Sequence, residues 1–265
     1  MSIDLSPAEI GKFIAAKHAV QEVQSGMTLG LGTGSTARWF VKLLAHEIRE
    51  NGLQIEACMT SQETRALASA LDIYPHLVEV IAPLDLAVDG ADEFDGQNNL
   101  IKGGGGALYQ EKVVEFQAKR LVIITDKSKE VETLGAFPLP IEISEFGWTA
   151  TQKNVEAVLA DMGLPTETTW REAKGSLFFS TDEGNRILDL HLGAIPNAHA
   201  LNTALIHIPG VNETGLFLDM ADAIIMGDDA GTARFREGTG DWQEKTYDLS
   251  SEADLIATLQ AMDNE

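Results

Sequence analysis

Two neighbouring motifs carry the residue types of acid–base chemistry and anion binding. The first is Asp89-Gly90-Ala91-Asp92-Glu93, and the second is Lys102-Gly103-Gly104-Gly105-Gly106, which Glu111 follows. Four consecutive glycines are unfavourable inside a helix or strand, because glycine loses the most backbone entropy on ordering. Such a run is useful where backbone N–H groups must approach an anion closely. The span therefore predicts a phosphate or oxyanion site with acids and bases beside it.

A third motif, Gly30-Leu31-Gly32-Thr33-Gly34-Ser35-Thr36, lies between an apolar stretch and a predicted helix over 37–50. Its glycines permit a tight turn, and its hydroxyls would lie at a helix N-terminus, where anions are favoured. A dinucleotide-binding loop needs a glycine where Ser35 stands, and a Walker A loop needs a Gly-Lys pair that is absent. The motif indicates a phosphate site or a structural turn. Together the three motifs suggest a small phosphorylated substrate.

The acidic residues Asp89, Asp92, Glu93 and Asp95 could instead belong to a calcium loop or to a solvated turn. An EF-hand loop ends in a glutamate, but Lys102 stands at that position when Gly96 is taken as the central glycine. The histidines, at positions 18, 46, 76, 191, 199 and 207, have no metal-ligand spacing. We therefore expect no metal ion.

Glu111 is the strongest candidate for a general base. On a helix that begins near Ala107, it faces the same side as Val114 and Ala118, at about 100° per residue. A carboxylate among small apolar neighbours is partly desolvated, which would raise its pKa towards the working range of a base. Position alone also allows an exposed glutamate that pairs with the following lysine. Glu115 lies further from this stripe, so we expect Glu115→Gln to cost little activity.

The three motifs and a later segment occur in the order of a known family. The loop 30–36, the segments 88–93 and 101–112, and Ile208-Pro209-Gly210-Val211 to Gly215-Leu216-Phe217 resemble ribose-5-phosphate isomerase, type A. The resemblance extends from about Lys12 to Gly227. The first loop is weakly specific, whereas the spacing of the other two motifs is strongly specific.

The resemblance implies an aldose–ketose isomerase that interconverts D-ribose 5-phosphate and D-ribulose 5-phosphate through a cis-enediolate, without a cofactor. It implies Glu111 as the proton shuttle, Lys102 with the loop amides as stabilisers of negative charge, and Asp89 and Asp92 as ligands of the sugar hydroxyls. It also implies a homodimer or homotetramer. The implied substrate-binding residues are Lys12, Thr33, Gly34, Ser35, Thr36, Asp89, Gly90, Ala91, Asp92, Lys102, Gly103, Gly104, Gly105 and Lys129.

Two other functions remain open at this point. A CoA transferase or an amino-sugar phosphate deaminase could use a related scaffold, and assays of acyl transfer or ammonia release would separate these. A non-enzymatic sugar-phosphate sensor is the second alternative. Such sensors carry a basic helix-turn-helix module, for which neither end of this sequence shows the length or the charge.

The surrounding pattern predicts an α/β fold with a doubly wound, mostly parallel Rossmann-like sheet. Ser6, Pro7 and Glu9 mark a helix start. Ligands bind at the carboxyl ends of the strands in such sheets, where the three motifs fall. The expected strands are 28–32, 54–60, 84–89, 121–125 and 223–226, and further helices are expected over 62–71 and 252–262.

After Pro138 and Pro140 the pattern changes, and residues 138–208 are expected to form an inserted small α+β (ferredoxin-like) domain. Residues 1–137 and 209–265 then form the Rossmann-like domain. Within the insert we expect helices over 154–162 and 200–206, and strands over 176–181 and 186–192 that flank a hairpin turn.

The charge and cysteine content narrow the choice of partners and compartment. The chain of 265 residues has 19 Lys and Arg against 41 Asp and Glu, a net charge of −22. This balance argues against nucleic acid and anionic membrane surfaces, which bind clustered cations. The single Cys58 forms no disulfide within the chain, which fits a reducing compartment. We therefore expect a cytoplasmic protein.

The acidic excess leads to a prediction about salt. Carboxylates that repel one another at low ionic strength are screened when the Debye length falls from ~10 Å at 0.1 M to ~3 Å at 1 M salt. The melting temperature should therefore rise as KCl is added, which differential scanning calorimetry would measure. A flat or falling melting temperature would contradict adaptation of this surface to salt.

Overall fold

Helices and strands alternate through the first half of the chain, as the sequence pattern predicts. The computed structural model describes residues 5–173 and 175–262. The helices are α1 (Pro7–Ala19), α2 (Ser35–Asn51), α3 (Gln62–Ala70), α4 (Val78–Ile81), α5 (Leu108–Phe116), α6 (Trp148–Asp161), α7 (Ala198–Ile206) and α8 (Leu249–Ala261). The strands are β1 (Thr28–Leu31), β2 (Glu56–Met59), β3 (Leu86–Asp89), β4 (Glu93–Phe94), β5 (Leu100–Ile101), β6 (Leu121–Asp126), β7 (Leu139–Ile143), β8 (Thr168–Trp170), β9 (Arg186–Leu190), β10 (Val211–Thr214), β11 (Leu216–Phe217), β12 (Ala223–Gly227), β13 (Thr232–Glu237) and β14 (Gln243–Thr246). Among the described residues, no helix is both long and apolar enough to cross a lipid bilayer.

The chain divides into two compact units. The first comprises Met1–Gly90, Val113–Lys129 and Ala221–Glu265, and the second comprises Ala91–Lys112 and Glu130–Met220. The second unit therefore takes in more of the chain than the insert 138–208 that the sequence suggests. The cause is a small sheet with strand order β11-β5-β4, because it joins residues from both sides of that insert.

The first unit is built on a sheet with strand order β14-β13-β12-β6-β3-β1-β2, in which β12, β6, β3, β1 and β2 are parallel. Leu29 and Leu31 of β1 belong to the core that α1 and α2 cover. Gly30, between them, faces Val114 of α5. Since successive strand residues point to opposite faces, helices pack on both faces. The predicted doubly wound, mostly parallel α/β sheet is confirmed.

The hairpin of β13 and β14 extends this sheet where the sequence suggests only a polar segment before the last helix. The strands pair antiparallel with β12 and with each other. All four residues of β14 are exposed, and the apolar side chains of β13 are Ala233 and Phe235. A hairpin at the sheet edge needs only backbone hydrogen bonds and one partly apolar face. A polar sequence therefore suffices to form it.

The second unit contains a sheet with strand order β10-β7-β9-β8, in which each pair is antiparallel. The chain order β7-α6-β8-β9-α7-β10 gives the βαββαβ topology of a ferredoxin-like fold. Ile141, Val155, Leu188 and Leu201 form part of its core. The predicted small α+β (ferredoxin-like) unit is therefore confirmed.

The prediction of a strand over 176–181 is wrong. The partner of β9 on this side is β8, in which Trp170 is opposite Leu188. The Trp170 ring also packs against Trp148, at the start of α6, with 4.9 Å between the ring centroids. The predicted turn does form, because Thr181 N–H donates to the carbonyl of Asn185 at 2.9 Å. The packing of the partly buried Trp170 therefore favours 168–170 as the paired segment, and residues 176–181 approach the turn without pairing as a strand.

A buried carboxylate closes this turn. Glu142 of β7 is fully buried, and its Oε1 accepts hydrogen bonds from Thr181 Oγ1 at 3.1 Å and Asn185 Nδ2 at 2.8 Å. Burial raises the pKa of the Glu142 carboxyl to about 7, and the carboxylates of Glu183 and Glu213 act in the same direction against these two hydrogen bonds. Burial of this group therefore favours its neutral form.

The raised pKa of Glu142 predicts a pH-dependent stability. Between pH 4.5, the ordinary value, and about 7, the native state binds a proton that the unfolded state releases. The unfolding free energy should therefore fall with rising pH by up to about 1.4 kcal/mol per pH unit from this group. Glu142→Gln should gain stability relative to wild type between pH 5 and 7, in urea titrations at each pH.

Glu145→Gln is the matched control, since a hydrogen bond from Arg186 lowers the pKa of the Glu145 carboxyl. The difference in unfolding free energy between Glu145→Gln and wild type should not grow between pH 5 and 7. A stability difference for Glu142→Gln that is independent of pH would contradict the assignment.

Candidate active site

In the first unit, the carboxyl ends of β1 and β3 lie where the strand order reverses, with β2 beyond β1 and β6 beyond β3. Asp89 ends β3 and is buried. Its Oδ1 accepts hydrogen bonds from Thr33 N–H at 3.0 Å and Gly90 N–H at 2.6 Å. Such a reversal point is the usual ligand-binding position of a parallel sheet. The structure therefore brings the first loop and the first acid of the acidic motif together.

Gly32 is required here for space. A Cβ atom at this position would lie 2.1 Å from Cγ of Asp89, far inside van der Waals contact. Its amide also donates to the carbonyl of Val88 at 3.0 Å, which continues the pairing of β1 and β3. The glycine at 32 therefore allows the carboxylate of Asp89 to lie against the loop backbone.

The hydroxyl of Thr33 lies in a cluster of hydroxyl groups. Thr33 Oγ1 is 2.7 Å from Thr60 Oγ1, 2.8 Å from Ser61 Oγ and 3.2 Å from Thr64 Oγ1. Thr64 Oγ1 in turn donates to the carbonyl of Gly32 at 2.9 Å. This network fixes the loop conformation, so the Thr33 side chain has a structural role, and its role in binding stays a prediction.

The start of α2 is suited to an anion. Its N-cap is Gly34, with φ of 105°, and no side chain caps this helix end within the described chain. Ser35 is exposed and Thr36 is half-buried. The first amides of a helix have no intrahelical acceptor and carry partial positive charge. Gly34, Ser35 and Thr36 therefore lie at the N-terminus of α2, as expected. The helix itself begins at Ser35, two residues before the predicted start at residue 37.

The two predicted lysines of the first unit lie on different elements. Lys12 of α1 pairs with Glu9, with 2.5 Å between Nζ and Oε1, and Glu9 also accepts from Trp39 Nε1 at 2.8 Å. Lys129 ends a 3₁₀ turn (Lys127–Lys129) that follows β6, and its side chain is half-buried. Lys12 is therefore engaged by a carboxylate on its own helix.

In the second unit, the glycine run forms a tight loop between β5 and α5. Gly103 and Gly106 have φ of 94° and 85°, which L residues rarely adopt. Gly104 N–H donates to Asp92 Oδ2 at 2.7 Å. A Cβ at Gly104 would lie 2.5 Å from the Asp92 carboxylate. The structure therefore joins the second acid of the acidic motif to the glycine loop.

Lys102 and Glu111 flank this loop and form a buried pair. They are 2% and 4% exposed, and Lys102 Nζ lies 3.6 Å from Glu111 Oε2 and 5.4 Å from the centroid of the Phe217 ring. The adjacent ammonium stabilises the carboxylate form, which is the form that can accept a proton. Lys112 contacts Glu213 at 2.7 Å. The predicted burial of Glu111 is confirmed, and the alternative of an exposed glutamate is excluded.

Glu115, which lies further from the small apolar stripe, is buried as well and is 3% exposed. The apolar residues Tyr109, Val113 and Phe116 occupy the exposed side of α5 instead. The period of the small apolar stripe places Glu111 correctly. It does not reveal that the buried arc of α5 is wide enough to include a second glutamate.

The remaining acids of the cluster organise backbone. Glu93 is buried and accepts from Gly135 N–H at 2.6 Å and from Phe137 N–H. Asp95 Oδ1 accepts from the amides of Gln97 and Asn99, at 2.8 and 2.9 Å. Within residues 5–173 and 175–262, no group of three or more His, Cys, Asp or Glu side chains is placed to hold a metal ion.

A family profile described as ribose 5-phosphate isomerase A (phosphoriboisomerase A) matches residues 56–231. The chain belongs to the ribose-5-phosphate isomerase A family. The ribose-5-phosphate isomerase A of Ruegeria sp. strain TM1040 is 49% identical over 260 residues, which cover 98% of this chain and 99% of the relative. That of Cereibacter sphaeroides strain ATCC 17029 is 45% identical with the same coverage.

Solved structures of the family are similar over most of their length. The ribose 5-phosphate isomerase A of Methanocaldococcus jannaschii has a TM-score of 0.77 and 36% identity, and the match covers 85% of this chain and 97% of that one. A D-ribose-5-phosphate isomerase in complex with phospho-erythronic acid has a TM-score of 0.78 and 33% identity, with coverage of 93% and 100%. The fold of this isomerase A family member is therefore shared with solved relatives.

The sequence motifs do not reveal every residue that supports these clusters in this isomerase A family member. Ser61 is the N-cap of α3 and accepts from Thr64 N–H at 3.0 Å. A serine three residues before a threonine at a predicted helix start is a signal that could identify this cap. Arg171 contacts the glycine loop from 67 residues away in the sequence, and no local pattern marks it.

Proposed function

We propose that this protein is a ribose-5-phosphate isomerase that interconverts D-ribose 5-phosphate and D-ribulose 5-phosphate. The observation that carries the proposal is the buried Lys102–Glu111 pair, 3.6 Å apart, at the two ends of a glycine loop that Asp92 anchors. Membership of the isomerase A family supplies the reaction, and the pair supplies a base and a cation for it.

The reaction moves one proton between two carbons and leaves the oxidation state of the whole molecule unchanged. Glu111 removes the proton from C2 of the open-chain aldose, the electron pair forms the C1–C2 double bond, and O1 becomes anionic. The protonated Glu111 then returns the proton to C1 as the carbonyl forms at C2 and the proton of O2 moves to O1. These reaction steps require a base and stabilisation of the enediolate oxygens, and they need no external electron acceptor.

The residues of the second unit fit these two requirements. Burial excludes water from Glu111, so the abstracted proton is retained for the return step. The Lys102 ammonium and the amides of Gly103 and Gly105 are the proposed donors for the enediolate oxygens, because the Gly104 N–H is already bound to Asp92. Preorganised donors of this kind contribute most when they are fixed before charge develops. Asp92, which already accepts from Gly104 N–H, is proposed to bind a sugar hydroxyl with its second oxygen.

The residues of the first unit are proposed as substrate ligands on the basis of the family resemblance. The amides and hydroxyls of Gly34, Ser35 and Thr36 suit a phosphate, because they begin a helix of 17 residues whose N-terminus has no side-chain cap in the described chain. Asp89, with Gly90 and Ala91 after it, is proposed to bind sugar hydroxyls and assist ring opening. Lys129 and Lys12 are assigned to substrate binding by the family resemblance. The Glu9 pair reduces the charge that Lys12 offers.

Assembly and location are also proposals. The family resemblance supports a homodimer or homotetramer. The single cysteine supports a reducing compartment such as the cytoplasm. Cys58 is buried, and burial raises the pKa of its thiol to about 11, so it stays protonated at neutral pH. An unreactive thiol is consistent with a packing role for this residue.

The Glu111→Gln variant tests the proposed function. Glutamine keeps the size of the side chain but cannot accept the proton, so kcat for ribose 5-phosphate should fall ~10²–10⁴-fold, as expected when a general base is lost. Binding of phospho-erythronic acid, measured by calorimetry, should persist. Turnover is measured from ribulose 5-phosphate formation.

A distant exposed glutamate provides the control. Glu50 lies near the end of α2 and is exposed, so Glu50→Gln should leave kcat unchanged. Glu115 is unsuitable because it is buried. Near-normal turnover in Glu111→Gln would remove it from the catalytic role. Wild-type protein without isomerase activity on ribose 5-phosphate would overturn the function itself.

The Ser35→Ala variant tests the phosphate site. A hydroxyl that contacts the phosphate in ground and transition state alike provides uniform binding, so its loss should raise KM more than it lowers kcat. Ser250, an exposed serine in the first turn of α8, is a matched control. Steady-state kinetics should show an unchanged KM for Ser250→Ala. An unchanged KM for Ser35→Ala would make the first loop structural only.

A further inference from the structure

Arg171 joins the ferredoxin-like sheet to the glycine loop within the second unit. It follows β8, and its Nη1 donates to the carbonyls of Gly103 at 2.7 Å and Gly104 at 3.0 Å. The other side of the guanidinium is fixed by Asp189 of β9, which accepts from Nε at 3.0 Å and from Nη2. Among the described residues, these bonds use four of the five N–H donors of the arginine.

These contacts fix one peptide group of the loop at both ends. The carbonyl of Gly103 and the N–H of Gly104 belong to the same planar peptide. Arg171 binds the carbonyl side, and Asp92 Oδ2 accepts from the N–H side at 2.7 Å. The next carbonyl, of Gly104, is in the same peptide as the N–H of Gly105. Through that carbonyl, Arg171 also sets the direction of the Gly105 N–H.

The loop needs such a restraint, because glycines have the largest conformational freedom of all residues. Gly103 and Gly106 have positive φ, and the Gly106 N–H closes the turn onto the Gly103 carbonyl at 2.9 Å. Other backbone orientations of the run remain accessible unless a rigid group selects one. A planar guanidinium that is anchored by two bonds to Asp189 is such a group.

We propose that Arg171 is a positioning residue for the isomerase reaction: without touching the substrate, it holds the Gly104 N–H on Asp92 and orients the Gly105 N–H towards the enediolate oxygens. The inference rests on the proposed function and extends it. The positive charge at the carbonyls also polarises both peptide groups, which strengthens their N–H groups as donors. The contribution of Arg171 is therefore expected in the transition state more than in substrate binding.

Arg186 offers a matched control for the loss of an arginine. Both arginines have side chains that are 15% exposed and both form paired bonds with a carboxylate, Arg171 with Asp189 and Arg186 with Glu145. The Arg186 guanidinium packs on the rings of Trp148 and Phe178, at 4.7 and 4.2 Å from their centroids. Replacing either arginine by methionine removes a paired bond to a carboxylate, although Glu145 is 61% exposed and Asp189 is 15% exposed, and only Arg171→Met releases the loop carbonyls.

Three measurements on the full-length protein test the proposal. For Arg171→Met, kcat should fall about 10²-fold, the scale of a lost oxyanion donor or of a misplaced reacting group, whereas KM changes by less than about threefold. The inhibition constant of phospho-erythronic acid, whose carboxylate resembles the enediolate in shape and charge, should rise at least tenfold, on the order expected for a transition-state-like ligand. Hydrogen exchange of the peptide that covers 103–107 should accelerate. Arg186→Met should leave all three close to wild type.

A variant that keeps the positive charge provides a second test in case Arg171→Met does not fold. Arg171→Lys retains a cation for Asp189 but cannot bridge both carbonyls in a fixed plane, so its kcat should lie between those of wild type and Arg171→Met. Wild-type kcat in Arg171→Lys, or equal losses in Arg171→Met and Arg186→Met, would overturn the positioning role. Unchanged exchange of the loop in folded Arg171→Met would overturn it as well.

The exchange measurement separates this proposal from the function on which it rests. If wild-type protein fails to isomerise ribose 5-phosphate, the proposed function fails, and exchange of the loop still reports whether Arg171 orders it. If wild type is active and the loop exchange and kcat of Arg171→Met are normal, only the positioning role fails.

Discussion

A lysine and a glutamate that lie side by side out of contact with water impose the main constraint on the second unit. Removing two charges from water is costly, and their attraction offsets the cost only when the geometry is good and further polar contacts are made. Lys102 lies within 3.6 Å of Glu111 and near the face of Phe217. Lys112 follows Glu111 on α5, and its ammonium group donates hydrogen bonds to Glu213 and to the carbonyls of Thr214 and Leu216. The β5–loop–α5 segment and β11 are therefore arranged around charge neutralisation as much as around apolar packing.

The two loops are ordered by different chemistry. Neutral hydroxyl groups and one carboxylate order the first, since the Thr33 hydroxyl contacts Thr60, Ser61 and Thr64 and its N–H donates to Asp89. Ionised side chains order the second, where Asp92 and Arg171 bind opposite sides of a peptide group. Charge-assisted bonds are roughly twice as strong as neutral ones. The more flexible loop, with four glycines, therefore receives charge-assisted bonds on both sides of one peptide group.

Local signals predicted much of this structure, and contacts between distant segments account for most of what they missed. The helix start at Ser6, the strands that carry the motifs and the burial of Glu111 follow from capping, apolar runs and helical period, which are properties of adjacent residues. The burial of Glu115 and the pairing of Trp170 depend on the surfaces that cover them. The same holds for Arg171, whose contact with Gly104 is 67 residues distant. The hairpin of β13 and β14 was not predicted from the sequence, because edge strands need little apolar patterning.

Two glycines of the first loop are required for different reasons, and the difference limits how the protein could be redesigned for another sugar. Gly34 has open space around its Cβ position but a φ of 105°, so a larger residue there meets a strained backbone. Gly32 has an ordinary backbone, but the side chain of Asp89 lies 2.1 Å from the position of its Cβ and leaves no room for one. A larger residue at position 32 therefore fits only if the side chain at position 89 becomes smaller. A library that varies the two positions independently would consist almost entirely of clashing pairs, whereas one that enlarges 32 must shrink 89 and give up the carboxylate.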